Sequence, residues 1–344
     1  MKAVVLTRTG GPDALKVLEQ PDPAVGPGQV RIAVQAAGLN FADTMARAGL
    51  YPDAPKPPCV LGYEVAGEVE SIGEGVSGLS IGQRVIAGTH FGGQAELAVA
   101  RARDVLPMPE HLSFEEGAAF CVNYATAYAG LMIMGGLRQE DRVLIHSAAG
   151  GVGIAATQIA RNVGAEIFGT ASATKHEVIK AQGVHHAIDY WEQDFKAEIR
   201  WLTNGEGVDV ILDPLGPTSF RKDYRILRSG GRLIMCGLSE AMNENGRNFR
   251  GLLTSLLRAP TSTMPWWHIG RLLNQNRGVF GLNLLTWWRR EGGMDRITRP
   301  LLSDLQSERL KPVVAQSFPF EQAGEAHRYL AERRNIGKVV LTPG

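Results

Sequence analysis

With 344 residues, the chain is long for one core and comfortable for two domains. A composition 44% hydrophobic and 21% charged is that of an ordinary soluble globular protein, and a formal net charge of +1 excludes general attraction to nucleic acid or anionic membrane. No apolar run reads as long enough to span a bilayer, Lys2 opens no signal peptide, and Cys59, Cys121 and Cys236 lie far apart without metal-site spacing, so the expected location is the cytoplasm.

Lys2-Ala3-Val4-Val5-Leu6 predicts a strand and Gly10-Gly11-Pro12-Asp13 a turn. Val30, Ile32 and Val34 alternate with polar neighbours, the pattern of a half-buried strand. Residues 38–51 predict a loop and a short helix ending near Gly49. Short β-like runs at 64–70, 84–87 and 95–99, with glycines at most joints, predict a small β barrel. Near position 113 the pattern changes. Ser113-Phe114-Glu115-Glu116 has the form of a helix-starting capping box. Strand candidates at 143–145, 166–169, 187–188, 208–212, 231–236 and 278–282 then alternate with helices, as in a doubly wound parallel sheet. A helix over 320–333 separates strand-like Pro312-Val313-Val314 from Lys338-Val339-Val340-Leu341. A lone strand pair is not stable, so this tail is expected to rejoin the first domain and make it discontinuous. The expected division is residues 1–122 and 287–344 for the β-rich domain, including a connecting helix, and 123–286 for the α/β domain.

The chemistry centres on Val143-Leu144-Ile145-His146-Ser147-Ala148-Ala149-Gly150-Gly151-Val152-Gly153. A buried apolar strand runs into a small-residue turn and then a helix, and Ala148-x-Gly150-x-x-Gly153 is a dinucleotide fingerprint with its first glycine replaced by alanine. A glycine turn with no ligand is the plain alternative. The next strand leads into Thr170-Ala171-Ser172-Ala173-Thr174-Lys175 with no carboxylate before Glu177. Ser172 and Lys175 therefore suit a 2′-phosphate, favouring NADPH over NADH, while Ser172 as a helix cap and Lys175 as a solvated residue describe the same positions structurally. Neither Cys-x-x-Cys nor His-Glu-x-x-His occurs, His90, His111 and His185-His186 stand apart from other ligands, and no metal is expected.

Four motifs carry a family resemblance: Gly38-Leu39-Asn40-Phe41-Ala42-Asp43, Leu61-Gly62-Tyr63-Glu64-Val65-Ala66-Gly67, the glycine loop, and Gly337-Lys338-Val339-Val340-Leu341. In order and spacing they resemble the medium-chain dehydrogenase/reductases, zinc-free quinone oxidoreductase branch, over essentially the whole chain. Val122-Asn123-Tyr124-Ala125-Thr126-Ala127-Tyr128, residues 169–177, Ile188-Asp189-Tyr190 and Asp213-Pro214-Leu215-Gly216 are most similar to the vesicle amine transport protein group. The resemblance implies a Rossmann doubly wound parallel sheet plus a discontinuous GroES-like β-barrel catalytic domain, bound NADPH and a homodimer. Zinc-dependent relatives hold metal with a cysteine where Asn40 lies and a histidine where Tyr63 lies. By the same resemblance Asn40 meets the nicotinamide, Thr126 and Ala149, Gly150, Gly151 and Val152 meet the phosphates and ribose, and Ser172, Lys175 and Tyr190 hold the 2′-phosphate. Gly237, Leu282 and Lys338 match cofactor-lining positions.

Asn40 and Tyr51 are the expected donors to an acceptor oxygen. Their plain alternatives are a turn residue satisfying backbone and a packing residue before Pro52, with Asp43 pairing with backbone or with Arg47. Residues 242–290 combine Arg247, Arg250 and Arg258 with Leu252, Leu253, Leu256, Leu257, Trp266, Trp267, Trp287 and Trp288. A roomy cleft, a dimer surface and membrane contact all suit this composition, and helices packed on the sheet is the reading preferred. The expected function is zinc-independent hydride transfer from NADPH to a quinone or an α,β-unsaturated carbonyl. The rival is an NADPH-binding protein with little turnover that acts at membranes or on partner proteins.

Overall fold

The computed structural model describes residues 1–243, 246–247, 269–291 and 293–344. Strands Lys2–Leu6 (β1), Leu15–Glu19 (β2) and Gln29–Leu39 (β3) lead to helix Phe41–Arg47 (α1). Cys59–Val60 (β4), Glu64–Ile72 (β5), Arg84–Gly88 (β6), Leu97–Arg101 (β7) and Val105–Pro107 (β8) follow, then Phe114–Ala118 (α2) and Cys121–Tyr128 (α3). The alternation begins with Arg142–Ile145 (β9), Gly151–Val163 (α4), Glu166–Ala171 (β10), His176–Gln182 (α5) and His186–Asp189 (β11). It continues through Phe195–Leu202 (α6), Val208–Asp213 (β12), Pro217–Ile226 (α7) and Leu227–Met235 (β13). A two-residue pair, Met242–Asn243 (β14) and Gly246–Arg247 (β15), precedes helix Ile269–Gln275 and Gly278–Gly281 (β16). Helices Leu284–Glu291 and Asp295–Gln306, Val314–Pro319 (β17), helix Ala323–Ala331 and Lys338–Thr342 (β18) complete the chain.

The first compact unit joins Met1–Ala125 to β14, β15 and Leu285–Gly344. Its larger sheet runs β17-β18-β3-β5-β6-β8, with β7 also on β3, and its smaller sheet runs β2-β1-β4. Along β3, Val30, Ile32 and Val34 are buried, and from Ala36 every residue to Leu39 is buried too. The second half of β3 is flanked by β18 and β5, with Val339 opposite Leu39 and Ala66 opposite Ala36. The tail thus rejoins the N-terminal strands. It does so with two differences from the expected elements. The strand expected at Pro312-Val313-Val314 starts only at Val314, past a proline that donates no N–H to a ladder. The expected helix opens as a tight turn at Phe320–Gln322, and Arg333, at φ 58°, lies past its end.

The second unit comprises Thr126–Ala241 with residues 269–284. Its sheet runs β11-β10-β9-β12-β13-β16, every neighbouring pair parallel. Numbered within the sheet this is the 3-2-1-4-5-6 order of dinucleotide-binding folds, whose ligand crevice opens where the order reverses, here at β9 and β12. Val143, Leu144 and Ile145 are fully buried, which is why this strand reads as an unbroken apolar run.

One composition reading is corrected. The stretch Phe114–Met134 is long and apolar enough to cross a membrane, although 67% of its apolar window is buried inside the protein. Its apolar character serves packing: a Cβ on Gly130 would stand 2.7 Å from Leu212. In the tryptophan- and arginine-rich stretch, the Arg247 side chain and Arg250, Leu252, Leu253, Leu256, Leu257, Arg258, Trp266 and Trp267 lie outside the described residues. Trp287 and Trp288 lie on helix Leu284–Glu291. Trp288 is core: it stacks on His90 with ring centroids 4.1 Å apart and donates its indole N–H to Asp104 at 2.8 Å.

Candidate active site

In the second unit, the loop after β9 is pinned by backbone hydrogen bonds. The His146 N–H donates to Leu212 on β12 (3.1 Å) and the Ala148 N–H to Thr170 on β10 (2.9 Å). Ser147 takes a left-handed φ of 52°, and the Gly150 N–H closes the turn on the Ser147 carbonyl at 2.9 Å. Gly150 is the N-cap of α4, with Gly151 and Val152 in its first turn. Their backbone N–H groups have no partner within the helix, an arrangement that could receive a phosphate. Ala149 is buried against this loop, and Thr126 lies buried on α3.

β10 ends at Ala171, and Ser172 begins a tight turn, Ala173–Lys175. Ser172 makes no side-chain cap; its hydroxyl meets that of Thr174 at 3.3 Å. The first acidic residue, Glu177, is spent on Lys180 at 3.3 Å. Tyr190, just past β11, is 38% exposed. Gly237 follows β13 so closely that a Cβ would lie 2.6 Å from the Pro214 carbonyl. Leu282 is buried and its N–H donates to Met235 at 2.8 Å.

Beneath the loops lies a polar network that the sequence did not announce. The Ser147 N–H reaches the Thr170 hydroxyl at 3.3 Å, and that hydroxyl lies 3.1 Å from His146 Nδ1. A hydroxyl that accepts from Ser147 is free to donate to Nδ1, so the Nε2–H donates to Asp223 at 2.9 Å. Asp213 accepts the Leu215 N–H at 2.5 Å and the Ser219 hydroxyl. Burial pushes Asp223 up to about 7; burial, and then the neighbouring Asp223, hold Asp213 well above the usual carboxylate range. Burial holds the His146 imidazole below its ordinary value. Among the described residues, His146, Asp213 and Asp223 are the one trio whose ligating atoms lie within 4.8 Å of one another.

In the first unit, Asn40, at the start of α1, and Lys338, at the start of β18, come together although 298 positions apart. The Lys338 ammonium donates to Asn40 Oδ1 at 2.7 Å and also to Glu64 Oε1. Asn40 Nδ2 donates to the same Glu64 oxygen at 2.9 Å and is directed at the Gly38 carbonyl at 3.4 Å. The other Glu64 oxygen takes the Val122 N–H, on α3, at 2.8 Å. All three side chains are buried. A Cβ on Gly38 would stand 2.7 Å from Glu64 and 2.8 Å from Lys338, so the absence of a side chain there lets the pair meet.

One expected role is revised and one open alternative is decided. The amide hydrogens of Asn40 already face protein acceptors, so its expected role as donor to a substrate oxygen does not fit this geometry. Asp43 pairs with backbone, not Arg47: it accepts the Asn40 N–H at 2.8 Å and the Gly62 N–H at 3.0 Å. Burial pushes its carboxyl up to about 7, against the pull of those N–H groups and Lys338. Tyr51 is half-buried, its ring edge-on to Tyr63 with centroids 6.2 Å apart. Glu64 lies within a sequence motif that assigns it no role. Its signal was a carboxylate inside an otherwise apolar run.

Residues 26–110 match the alcohol dehydrogenase GroES-like domain, and residues 182–341 match the zinc-binding dehydrogenase family. The chain belongs to the medium-chain dehydrogenase/reductases. It is 40% identical over 353 aligned positions to the synaptic vesicle membrane protein VAT-1 homolog of Rattus norvegicus, covering 100% of this chain and 84% of that protein. Among solved structures it resembles Escherichia coli quinone oxidoreductase complexed with NADPH, at 27% identity and TM-score 0.85 over 100% of both chains. It also resembles CurK enoyl reductase, at 28% identity and TM-score 0.85, over 100% of this chain and 99% of that one.

Proposed function

We propose that the protein binds NADPH and passes hydride to a quinone or to the β-carbon of an α,β-unsaturated carbonyl, without zinc. The carrying observation is the loop from β9 into α4: a backbone cradle at the reversal point of the sheet, followed by a β10 end with no carboxylate before Lys175. These residues fit a phosphorylated dinucleotide. The quinone oxidoreductase named above carries NADPH, and the enoyl reductase supports the enone alternative.

NADPH supplies the hydride. The chain's own residues position and polarise. Ala149, Gly150, Gly151 and Val152 hold pyrophosphate with Thr126 nearby; Ser172, Lys175 and Tyr190 hold the 2′-phosphate; Gly237 and Leu282 line the cofactor. Asn40 and Lys338 meet the nicotinamide, and Tyr51 donates to the acceptor oxygen. In this reading Asn40 and Tyr63 stand where zinc relatives carry ligands, so carbonyl polarisation is weak and simple ketones react poorly. Quinones and enones are easier acceptors because the developing charge is delocalised onto oxygen.

The test is NADPH oxidation against quinones, enones and simple ketones, with single-turnover measurements on Tyr51→Phe. We expect turnover with the first two classes and a roughly 10-fold or greater loss of hydride-transfer rate in Tyr51→Phe at little changed NADPH affinity. A parent rate in Tyr51→Phe removes that residue from the site. Tight NADPH binding with no turnover on any acceptor supports the second reading, a binding protein acting at membranes or on partners. The vesicle-membrane name of the relative favours that reading.

A further inference from the structure

We propose that Glu64 is a positioning residue: its carboxylate sets which way the Asn40 amide faces and keeps a charged Lys338 beside it, so that Asn40 presents an oxygen to its ligand. The inference rests on the reading that Asn40 meets the nicotinamide end of NADPH.

The orientation follows from donors and acceptors. Asn40 Oδ1 faces the Lys338 ammonium at 2.7 Å, and Nδ2 faces the Glu64 carboxylate at 2.9 Å. Turning the amide over would set its NH2 against an ammonium and its oxygen against a carboxylate. Both contacts would change from attraction to repulsion between buried side chains. Oδ1 accepts from Lys338, and the side chain also faces the Asp43 N–H in the capping box of α1. What Asn40 offers a ligand N–H, the chemistry of a primary carboxamide, is therefore an oxygen rather than an NH2. Glu64 is itself held: its second oxygen takes the Val122 N–H, and Gly38 leaves room for its chain against that of Lys338.

Among the described residues, three titratable groups act on Lys338. Glu64 faces it from β5, while Asp43 on α1 and Cys121 on α3 both interact with it electrostatically. Of these three groups only Glu64 is hydrogen-bonded to the ammonium, which also donates to the neutral Asn40. With that carboxylate neutralised, burial disfavours the charged lysine. A neutral amine accepts from Nδ2 as readily as it donates to Oδ1, and the amide loses its fixed sense.

The experiment is the NADPH dissociation constant of wild type, Glu64→Gln, Asn40→Ala and the Glu64→Gln/Lys338→Met double variant, from pH 6.5 to 9, followed by cofactor fluorescence. We expect a flat profile for wild type. Glu64→Gln should bind within a few-fold of wild type at the acid end and at least 10-fold more weakly at the alkaline end. The double variant should be weak and flat. A Glu64→Gln profile parallel to that of wild type, whether equal or uniformly weaker, overturns the proposal. Unchanged binding in Asn40→Ala instead overturns the placement of Asn40 beneath it. If Glu64→Gln does not fold, Lys338→Gln and Lys338→Met carry the test. Glutamine keeps a donor toward Oδ1 and methionine keeps none, so equal affinities overturn the proposal and a weaker methionine variant supports it.

Discussion

A Cβ on Gly153 would stand 2.2 Å from the carbonyl oxygen of Ser147. The first turn of α4 therefore rests on the loop backbone to backbone, and no side chain can move aside to make room. Gly153→Ala is expected to destabilise the second unit by about 2 kcal/mol or more and to weaken NADPH binding with it. Gly150→Ala, where the same oxygen would be met at 3.3 Å, should cost much less. Urea denaturation with cofactor titration decides; equal costs would show that the contact does not limit the packing.

Lys175 lies half-buried at the end of the turn that follows β10. Lys175→Ala should weaken NADPH binding by about 1.5–3 kcal/mol and leave NADH nearly unaffected, the range for a charge-assisted hydrogen bond. Equal losses for both cofactors would place Lys175 away from the 2′-phosphate.

Asp223 and Asp213 titrate above the aspartate range because they are buried together. A folded-state value raised above the unfolded one gives stability that is complete below the unfolded value, near 4, and lost as pH rises toward about 7. Asp223→Asn retains an oxygen for His146 and a donor for Asp213. Its unfolding free energy should change less between pH 5 and 8 than that of wild type, by on the order of 1–3 kcal/mol. Parallel curves would show that the pair does not hold the extra proton.

Purified, tag-free protein should contain well under one zinc per chain, and a chelator should leave turnover unchanged. Elemental analysis checks the first and an NADPH assay the second. A stoichiometric zinc lost in Asp223→Asn would assign it to the His146–Asp213–Asp223 trio and overturn the metal-free reading.

Among the described residues β16 ends its sheet, pairing with β13 on one side, and Phe280 upon it is 39% exposed. An apolar sheet edge of this kind favours pairing with a second copy. Sedimentation at micromolar concentration should show a homodimer that Phe280→Glu dissociates. A wild-type monomer would count against this edge as the interface.

The second unit was legible because strands covered on both faces leave continuous apolar runs and short connections keep partners close in sequence. The first unit was legible only in part. The alternation at Val30, Ile32 and Val34 announced β3, but its partner β18 lies about three hundred positions away, and no local pattern specifies such a pairing. Arg47 shows the same limit. The sequence leaves Asp43 open to a backbone group or to Arg47, and two backbone N–H groups claim it. Arg47 instead donates to the buried His327 at 3.3 Å and to the Gly10 carbonyl at 2.6 Å. Glu64 stayed hidden because a carboxylate opening a strand looks like a surface residue until the lysine it faces is known.

The place of β18 in the larger sheet has a consequence for synthesis. Its five residues, Lys338–Thr342, lie between β17 and β3, with Val339, Val340 and Leu341 opposite Leu39, Gly38 and Ala37. A ribosome makes β18 about three hundred residues after β3. Until β18 is made, that flank of β3 therefore remains an unsatisfied apolar edge, open to other nascent chains or to a chaperone. The α/β sheet needs nothing beyond β16 and can form while the tail is still being made. The first unit is thus begun before the second and completed after it.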